Sequence, residues 1–502
     1  MTDSKKSYQQ ILKTTSLFGG VQFFSILISI IRTKLIAVFI GPAGMGIIAL
    51  LNSTLSVLSS VSGLGIETSA VKSISENFNK DDIRMVSITI RIVKRIVFFT
   101  GILGMLLTII FSKALSILTF GDSSQTYSFI FLSLTILFKQ LSSGQLAVLQ
   151  GLRHLRFLAK ANFYGNLFGL LFSIPLYIYF KIEAIIPTIL LASVTSLIFS
   201  FYYSNKVRVE SKKGEITNDV FVTEGKSIIK LGFMLTISSV LTLLTAYLIQ
   251  IYIGKTGGLE QVGFYNAGFT LLNSYVGIIF TVMSTDYFPK LASINSDNDK
   301  VRVSVQQQAF ISVLIITPII VLFLAFSQVI VKMLYTLKFE AILPMICIGI
   351  LGMLFRAVSW AMGFILIAKG DSKMFIKTAV GFNVLSLVMN ILGYYFYGLE
   401  GLGFSFCLYF LCHFIGLKII TKKRYNFYFE TEFFQIYLVC LVICIASFLL
   451  RFIETSVLKY GLLSVMILIS FGFSLYHIDK KMNLSEIFTS FVQRKKENND
   501  SE

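Results

Sequence analysis

The chain is short of acid, of histidine and of the residues that punctuate soluble folds. Its 502 residues include six prolines, one tryptophan, three histidines and five cysteines, and only 26 Asp and Glu stand against 44 Lys and Arg. Each scarcity excludes something. His154, His413 and His477 lie far apart, and Cys347, Cys407, Cys412, Cys440 and Cys444 form no CxxC pair, so the pattern of neither a zinc site nor a disulfide framework is present. No nucleophile, metal cluster or triad spacing appears, and no enzyme chemistry or cofactor is expected. Polar residues are scarce as well. With 55% hydrophobic and 14% charged residues and a mean hydropathy of +0.78, the chain cannot cover a soluble core with a polar shell. A cleavable leader pattern is also missing: residues 1–10 are polar, and the apolar segment that follows is far longer than a signal core, so it is expected to remain as the first helix.

What is present is a succession of about fourteen apolar stretches, each long enough to cross a hydrocarbon core of ~30 Å as a helix. With the N-terminus placed inside, the outer loops hold only Lys113, Lys181, Lys255, Lys332, Lys338, Arg451 and Lys459 of the 44 basic residues. That asymmetry puts both termini in the cytoplasm of a multi-pass plasma-membrane protein. It also accounts for a net charge of +18, because the basic loops face an anionic inner leaflet. A nucleic-acid function has no soluble basic domain to carry it.

The chain repeats itself at an offset of 217 residues. Lys139 in LFKQL matches Arg356 in LFRAV, and Asn166, Tyr177 and Glu183 match Asn383, Tyr394 and Glu400. The fold class is therefore all-α and polytopic, with two six-helix bundles as parallel repeats, residues 1–204 and 227–424, joined by a charged cytoplasmic linker at 205–226. The first helix of each half ends at a glycine, Gly41 or Gly254, and the second near Lys72 or Lys290. An accessory helix pair follows within 425–480, spanning 433–450 and 457–476, and then a polar cytoplasmic tail, 481–502. The pair carries no mid-helix charge, which predicts that it does not line the path of a cargo.

RTKLIAVFIGPAGMGI at 32–47, GLGIETSAVKSISE at 63–76, VGFYNAGF at 262–269, YFPKL at 287–291 and FILIAKGDSKMF at 364–375 together resemble the Wzx-type O-antigen and lipid III flippases. These belong to the multidrug/oligosaccharidyl-lipid/polysaccharide exporter superfamily, and the resemblance covers about residues 1–424. The extra helix pair departs from many members. The resemblance implies a MATE-like pair of bundles that turns an undecaprenyl-diphosphate-linked oligosaccharide, such as an O-antigen repeat unit, from the inner to the outer leaflet. It also implies membrane lipids as surroundings, and a polysaccharide polymerase and chain-length regulator as partners. A lipid II flippase and an ion-coupled multidrug exporter are the rival readings within the superfamily. A membrane polymerase or ligase would need a large outer loop, and none exceeds about fifteen residues.

The candidate substrate-binding residues are the mid-helix cations Arg32, Lys34, Lys139 and Arg356. A charge at the bilayer centre costs about 2.5–3.5 kcal/mol on insertion scales, so it needs a partner, a water-filled cavity or a route out. Lys139 and Arg356 are too deep for their stems to reach water at a helix end. Arg32 and Lys34 lie about 200° apart around one helix, so both cannot face one cavity, and Lys34 is the better placed to snorkel. Four cations select anionic cargo, whereas a pump for cationic drugs would carry mid-helix carboxylates. Glu67 and Asp286, at near-equivalent repeat positions, are candidates for gating or for coupling to protons or Na⁺. The plainer reading is a terminal salt bridge with Lys72 or Lys290. GPAGMG at 41–46 is read as turn chemistry, Asp297 and Asp299 as an incidental DxD, and Trp360 as a core residue or a stacking partner of a sugar or of the Arg356 guanidinium.

Overall fold

The computed structural model describes residues 27–79, 82–207 and 218–482. Within them every regular element is helical. The helices are α1 (27–39), α2 (Gly41–Gly63), α3 (Ile66–Asn79), α4 (Ile83–Ile110), α5 (Ser112–Phe120), α6 (Thr126–Gly151), α7 (Leu155–Phe180) and α8 (Ile185–Asn205). They continue with α9 (Asn218–Gly257), α10 (Leu259–Thr270), α11 (Ile278–Ser293), α12 (Asn298–Leu334), α13 (Leu343–Gly349), α14 (Gly352–Ala368), α15 (Ser372–Tyr425), α16 (Thr431–Leu449) and α17 (Ser456–Met482). Long runs of Leu, Ile, Val and Phe have no water to satisfy their backbone, so the helix, which bonds internally, is the form they must take. Among the described residues, ten helices are long and apolar enough to cross a membrane, or eleven with α13–α14 taken as one bent span. Of the sequence expectations, residues 12–26 of the first span, 208–217 of the linker and 483–502 of the tail lie outside the described residues.

Two of the spanning stretches, 155–205 and 372–425, run to 51 and 54 residues, more than twice the ~20 a crossing needs. Each is broken near its middle. In the first, Lys181 takes φ 47°, ψ −120°, and a short 3₁₀ turn, Lys181–Ala184, leads into α8. In the second, Gly398 takes φ 55°, ψ −136°. The two breaks are 217 residues apart, the same offset as the sequence matches. Beyond each break the chain packs back on itself: Thr188 Oγ1 donates to Tyr177 Oη at 2.8 Å, and Ser405 Oγ to the Met389 carbonyl at 2.6 Å. This backbone region favours glycine, and a lysine held there stores about 1 kcal/mol or more. Lys181→Gly is therefore expected to raise the thermal midpoint of the detergent-solubilised protein, and Gly398→Lys to lower it. Fluorescence-detected thermal unfolding tests both, and a destabilised Lys181→Gly would contradict the assigned turn.

Contacts divide the chain into two compact units, one of residues 1–264 with 333–338 and the other of 265–332 with 339–502. The first unit thus runs past the expected linker and takes in α9. Tyr247 of α9 meets Thr119 at the end of α5, hydroxyl to hydroxyl at 2.5 Å, and Ser53 of α2 donates to Gln250 Oε1 at 2.8 Å. Glycines permit this packing. A Cβ at Gly46 would overlap the Leu259 carbonyl, and one at Gly263 would overlap the Pro42 carbonyl. Both partners, Gly46 with Gly263 and Pro42 with Leu259, are again 217 apart, so the two helix starts cross reciprocally. The turn glycine matching Gly41 (φ 66°) is Gly258 (φ 86°) rather than Gly254, because α9 continues through Gly254 to Gly257.

In the second unit α10 passes into α11 through a π-turn, Leu271–Val276, where the Gly277 amide donates five residues back to Leu272. The pair α13–α14 bends by 53°. α16 lays Tyr437 against Phe355 and Phe414, while α17 keeps large apolar side chains such as Leu468 and Tyr476 exposed. Asp371 caps α15 by accepting from the Met374 amide at 3.2 Å, accepts from Tyr425 Oη at 2.7 Å, and pairs with Arg424. The Tyr425 hydroxyl, followed by Arg424 and the Met374 amide, holds its carboxyl below the usual range. A depressed carboxylate contributes stability above its unfolded pKa of about 3.9, and the contribution is lost as pH falls through the folded value. The midpoint difference between wild type and Asp371→Asn should hold from pH 7 to pH 5 and shrink below about pH 4. A difference that grows on acidification would show that this latch has been misread.

Candidate functional site

The deepest cation is held by neutral groups. Arg356 lies one turn into α14, just past the bend, and donates Nη1–H to Asn273 Oδ1 at 2.7 Å. Its guanidinium carbon lies 5.3 Å from the Phe280 ring and 5.2 Å from the Phe410 ring. A Cβ at Gly277 would approach Nη1 to 3.4 Å, so the glycine leaves space beside the head group. No carboxylate pairs with Arg356 among the described residues. The positive charge is solvated without being cancelled, which leaves it able to receive an anion.

Lys139 is exposed and has no hydrogen-bond or ion-pair partner among the described residues. Its direction follows from helix geometry. Tyr127, Phe131 and Leu134 form the exposed apolar stripe of α6, and Lys139 stands roughly 110° away from that stripe. On its own azimuth Ser128, Leu132 and Thr135 are buried on the N-terminal side, while Ser143 and Leu146 are half-buried and Gln150 is exposed on the C-terminal side. The ammonium therefore stands in a recess that is closed toward the start of α6 and opens toward its end.

Arg32 on α1 donates Nη2–H to the Asn166 carbonyl of α7 at 3.2 Å, and its Nε is buried without a partner. Lys34 donates to the Tyr335 carbonyl, just past the end of α12, where a cation meets the negative end of a helix. Glu67, exposed in the first turn of α3, is not joined to Lys72, which pairs with Glu76 at 3.7 Å. Asp286 falls within α11, and its side chain lies outside the described residues. Arg32, Lys34, Glu67 and Lys139 thus belong to the first unit, and Arg356 and Asp286 to the second.

Other motifs resolve into structure. Asp297 accepts from the amides of Asp299 and Lys300 at 3.0 and 3.1 Å, and Asp299 pairs with Arg302 at 3.3 Å, so the DxD opens α12 as a cap. Trp360 packs with Phe280, Tyr287 and Phe364 and reaches Arg356 only through the shared Phe280. Asn273, Phe280 and Phe410 escaped sequence reasoning. An isolated amide inside the apolar run LLNSYV was the one visible signal.

The fold is that of known membrane transporters. Over 80% of this chain and 94% of theirs, it superposes on an inward-facing multidrug resistance MATE family transporter of the MOP superfamily with a TM-score of 0.66 at 11% identity. It matches the lipid II flippase MurJ, in an inward closed conformation, with a TM-score of 0.66 at 14% identity over 93% of this chain and 99% of that one. A MOP superfamily transporter from Pyrococcus furiosus, described as having a binding pocket of reverse polarity, gives a TM-score of 0.60 at 11% identity over 82% and 96%. No curated protein sequence matches. Residues 35–344 match the model of the polysaccharide biosynthesis protein family, and the chain belongs to that family. It is a multi-pass membrane protein with the fold of those transporters.

The recess at Lys139 is open to test. In a background freed of the five native cysteines, Lys139→Cys is expected to react with a charged, membrane-impermeant thiol reagent, while Phe131→Cys on the apolar stripe stays unmodified in bilayers. Labelling of Phe131→Cys with protection of Lys139→Cys would reverse the assignment of the two faces.

Proposed function

We propose that the protein flips an undecaprenyl-diphosphate-linked oligosaccharide, of the O-antigen repeat-unit kind, from the inner to the outer leaflet of the bacterial plasma membrane. Both termini lie in the cytoplasm. The observation that carries this reading is that Arg32, Lys139 and Arg356 have no carboxylate counterion among the described residues, in a chain of the polysaccharide biosynthesis family. A diphosphate offers several anionic oxygens. Arg356 and Arg32 would grip them through paired N–H donors, and Lys139 would add a mobile point charge. The head group crosses by alternating access past these cations while the polyprenyl tail stays in lipid. Lys34, two residues nearer than Arg32 to the outer end of its helix, would serve near the outer exit. Glu67 and Asp286 are the carboxylates proposed to gate the path or carry a coupling proton or Na⁺, and the polymerase and chain-length regulator are the proposed partners.

A second reading, transport of lipid II, draws on the superposition over almost the whole of the lipid II flippase MurJ. Cationic drugs fit poorly, since no carboxylate pairs with Arg32, Lys139 or Arg356 among the described residues.

Arg356→Ala is expected to abolish export of surface polysaccharide at normal protein level, and Arg356→Lys to retain part of it. Loss of a charge-assisted contact to phosphate costs about 1.5–3 kcal/mol, whereas lysine keeps the charge and loses the fork. Mass spectrometry of lipid co-purified with wild type separates lipid II from other oligosaccharide diphosphates. Full activity in Arg356→Ala, or a co-purified cargo without phosphate, would overturn the proposal.

A further inference from the structure

Within the second unit, α11 and α17 finish where α12 and α16 begin, and these four helices enclose a cavity of about 430 Å³. That volume is in the range of small-molecule sites. Its walls are charged on two sides. Lys290, in the last turn of α11, lines one wall, and Glu430, the residue before α16, lines another. Neither has a hydrogen-bond or ion-pair partner among the described residues. A second pair in the same lining is already satisfied, Lys481 to Glu432 at 2.9 Å. Gln306 and Gln307 add amides from α12, and the buried rings of Phe310 and Phe433 supply apolar surface.

Two charges without partners among the described residues restrict what can bind. A simple anion would satisfy Lys290 and be repelled by Glu430, a simple cation would do the reverse, and an apolar molecule would leave both unmet. A ligand carrying one charge of each sign satisfies both. The helix ends set the depth, because Lys290, Glu430 and Lys481 lie at the ends of spanning helices, where lipid head groups lie. Next to the cavity, α17 turns Leu468, Leu475 and Tyr476 outward, an apolar face on which acyl chains can lie. We propose that this cavity holds the phosphoethanolamine head group of a membrane glycerophospholipid, its phosphate on Lys290 and its ammonium on Glu430. A primary ammonium brings three N–H donors to the carboxylate, whereas a trimethylammonium brings none. The accessory helices then form a binding site for bulk lipid, whichever cargo the transporter carries.

Native mass spectrometry of the full chain released from nanodiscs tests this without reference to transport. In nanodiscs of mixed phosphatidylethanolamine, phosphatidylglycerol and phosphatidylcholine, wild type should retain phosphatidylethanolamine preferentially. Lys290→Glu and Glu430→Lys should each weaken that retention roughly tenfold, the scale of one lost charge-assisted contact. The double variant, with the two charges exchanged, should recover it. The exchange is the control for folding, since it carries both substitutions. Equal retention in the single variants, no recovery in the double variant, or equal retention of phosphatidylglycerol would each overturn the proposal.

Discussion

A guanidinium placed in the middle of an apolar span has to be solvated by the protein itself, and the local architecture around Arg356 is organised by that requirement. Bilayer insertion of the charge costs about 2.5–3.5 kcal/mol. One charge-assisted hydrogen bond from Asn273 and two ring faces, each contributing about 0.5–2 kcal/mol, are of the size needed to offset it. Bringing those groups together has structural consequences. Asn273 sits in a π-turn that widens the helix for a single turn, and α13–α14 bends immediately before Arg356. Both departures leave backbone groups less regularly bonded, and such irregularity persists in a membrane where protein or water can satisfy what the helix gives up.

The remaining helix contacts follow from a different constraint. Apolar side chains gain nothing by leaving lipid for one another, so helices associate through close backbone approach and a few polar bonds. The reciprocal crossing at Gly46 and Gly263 is the first device, and the bonds Tyr247–Thr119 and Ser53–Gln250 are the second. Together they attach α9 to the first unit although it follows the charged linker. The same logic shapes the hairpins at Lys181 and Gly398, where one backbone conformation is met by a strained residue in one half and by glycine in the other.

Much of the helical architecture was legible in the sequence because hydrocarbon imposes one rule on every span: about twenty apolar residues and no unpaired backbone. Lys139 and Arg356 stood out for the same reason, as charges where none is cheap. What stayed hidden depends on contacts between distant segments. Nothing in GFYNAGF announces that Gly263 meets Pro42, and α9 reads as the start of a second bundle until Tyr247 and Gln250 are seen to bond backward. Asn273 could be noticed but not assigned, since its partner lies 83 residues away. Lys34 illustrates the converse: its position within two residues of Arg32 said that the two must diverge, and the bond to Tyr335 shows where one of them goes.

Lys139 and Arg356 occupy matched repeat positions yet are treated differently by their surroundings. Arg356 is fixed on one edge by Asn273 and flanked by rings, so its direction is set before any ligand arrives. Lys139 has no such partner among the described residues, and its ammonium keeps the freedom of four rotatable bonds in an open recess. A preorganised guanidinium loses little entropy when it binds and so favours one geometry of anion; a free ammonium follows a charge as it moves. Matched positions of the repeat therefore carry one preorganised cation and one adaptable cation.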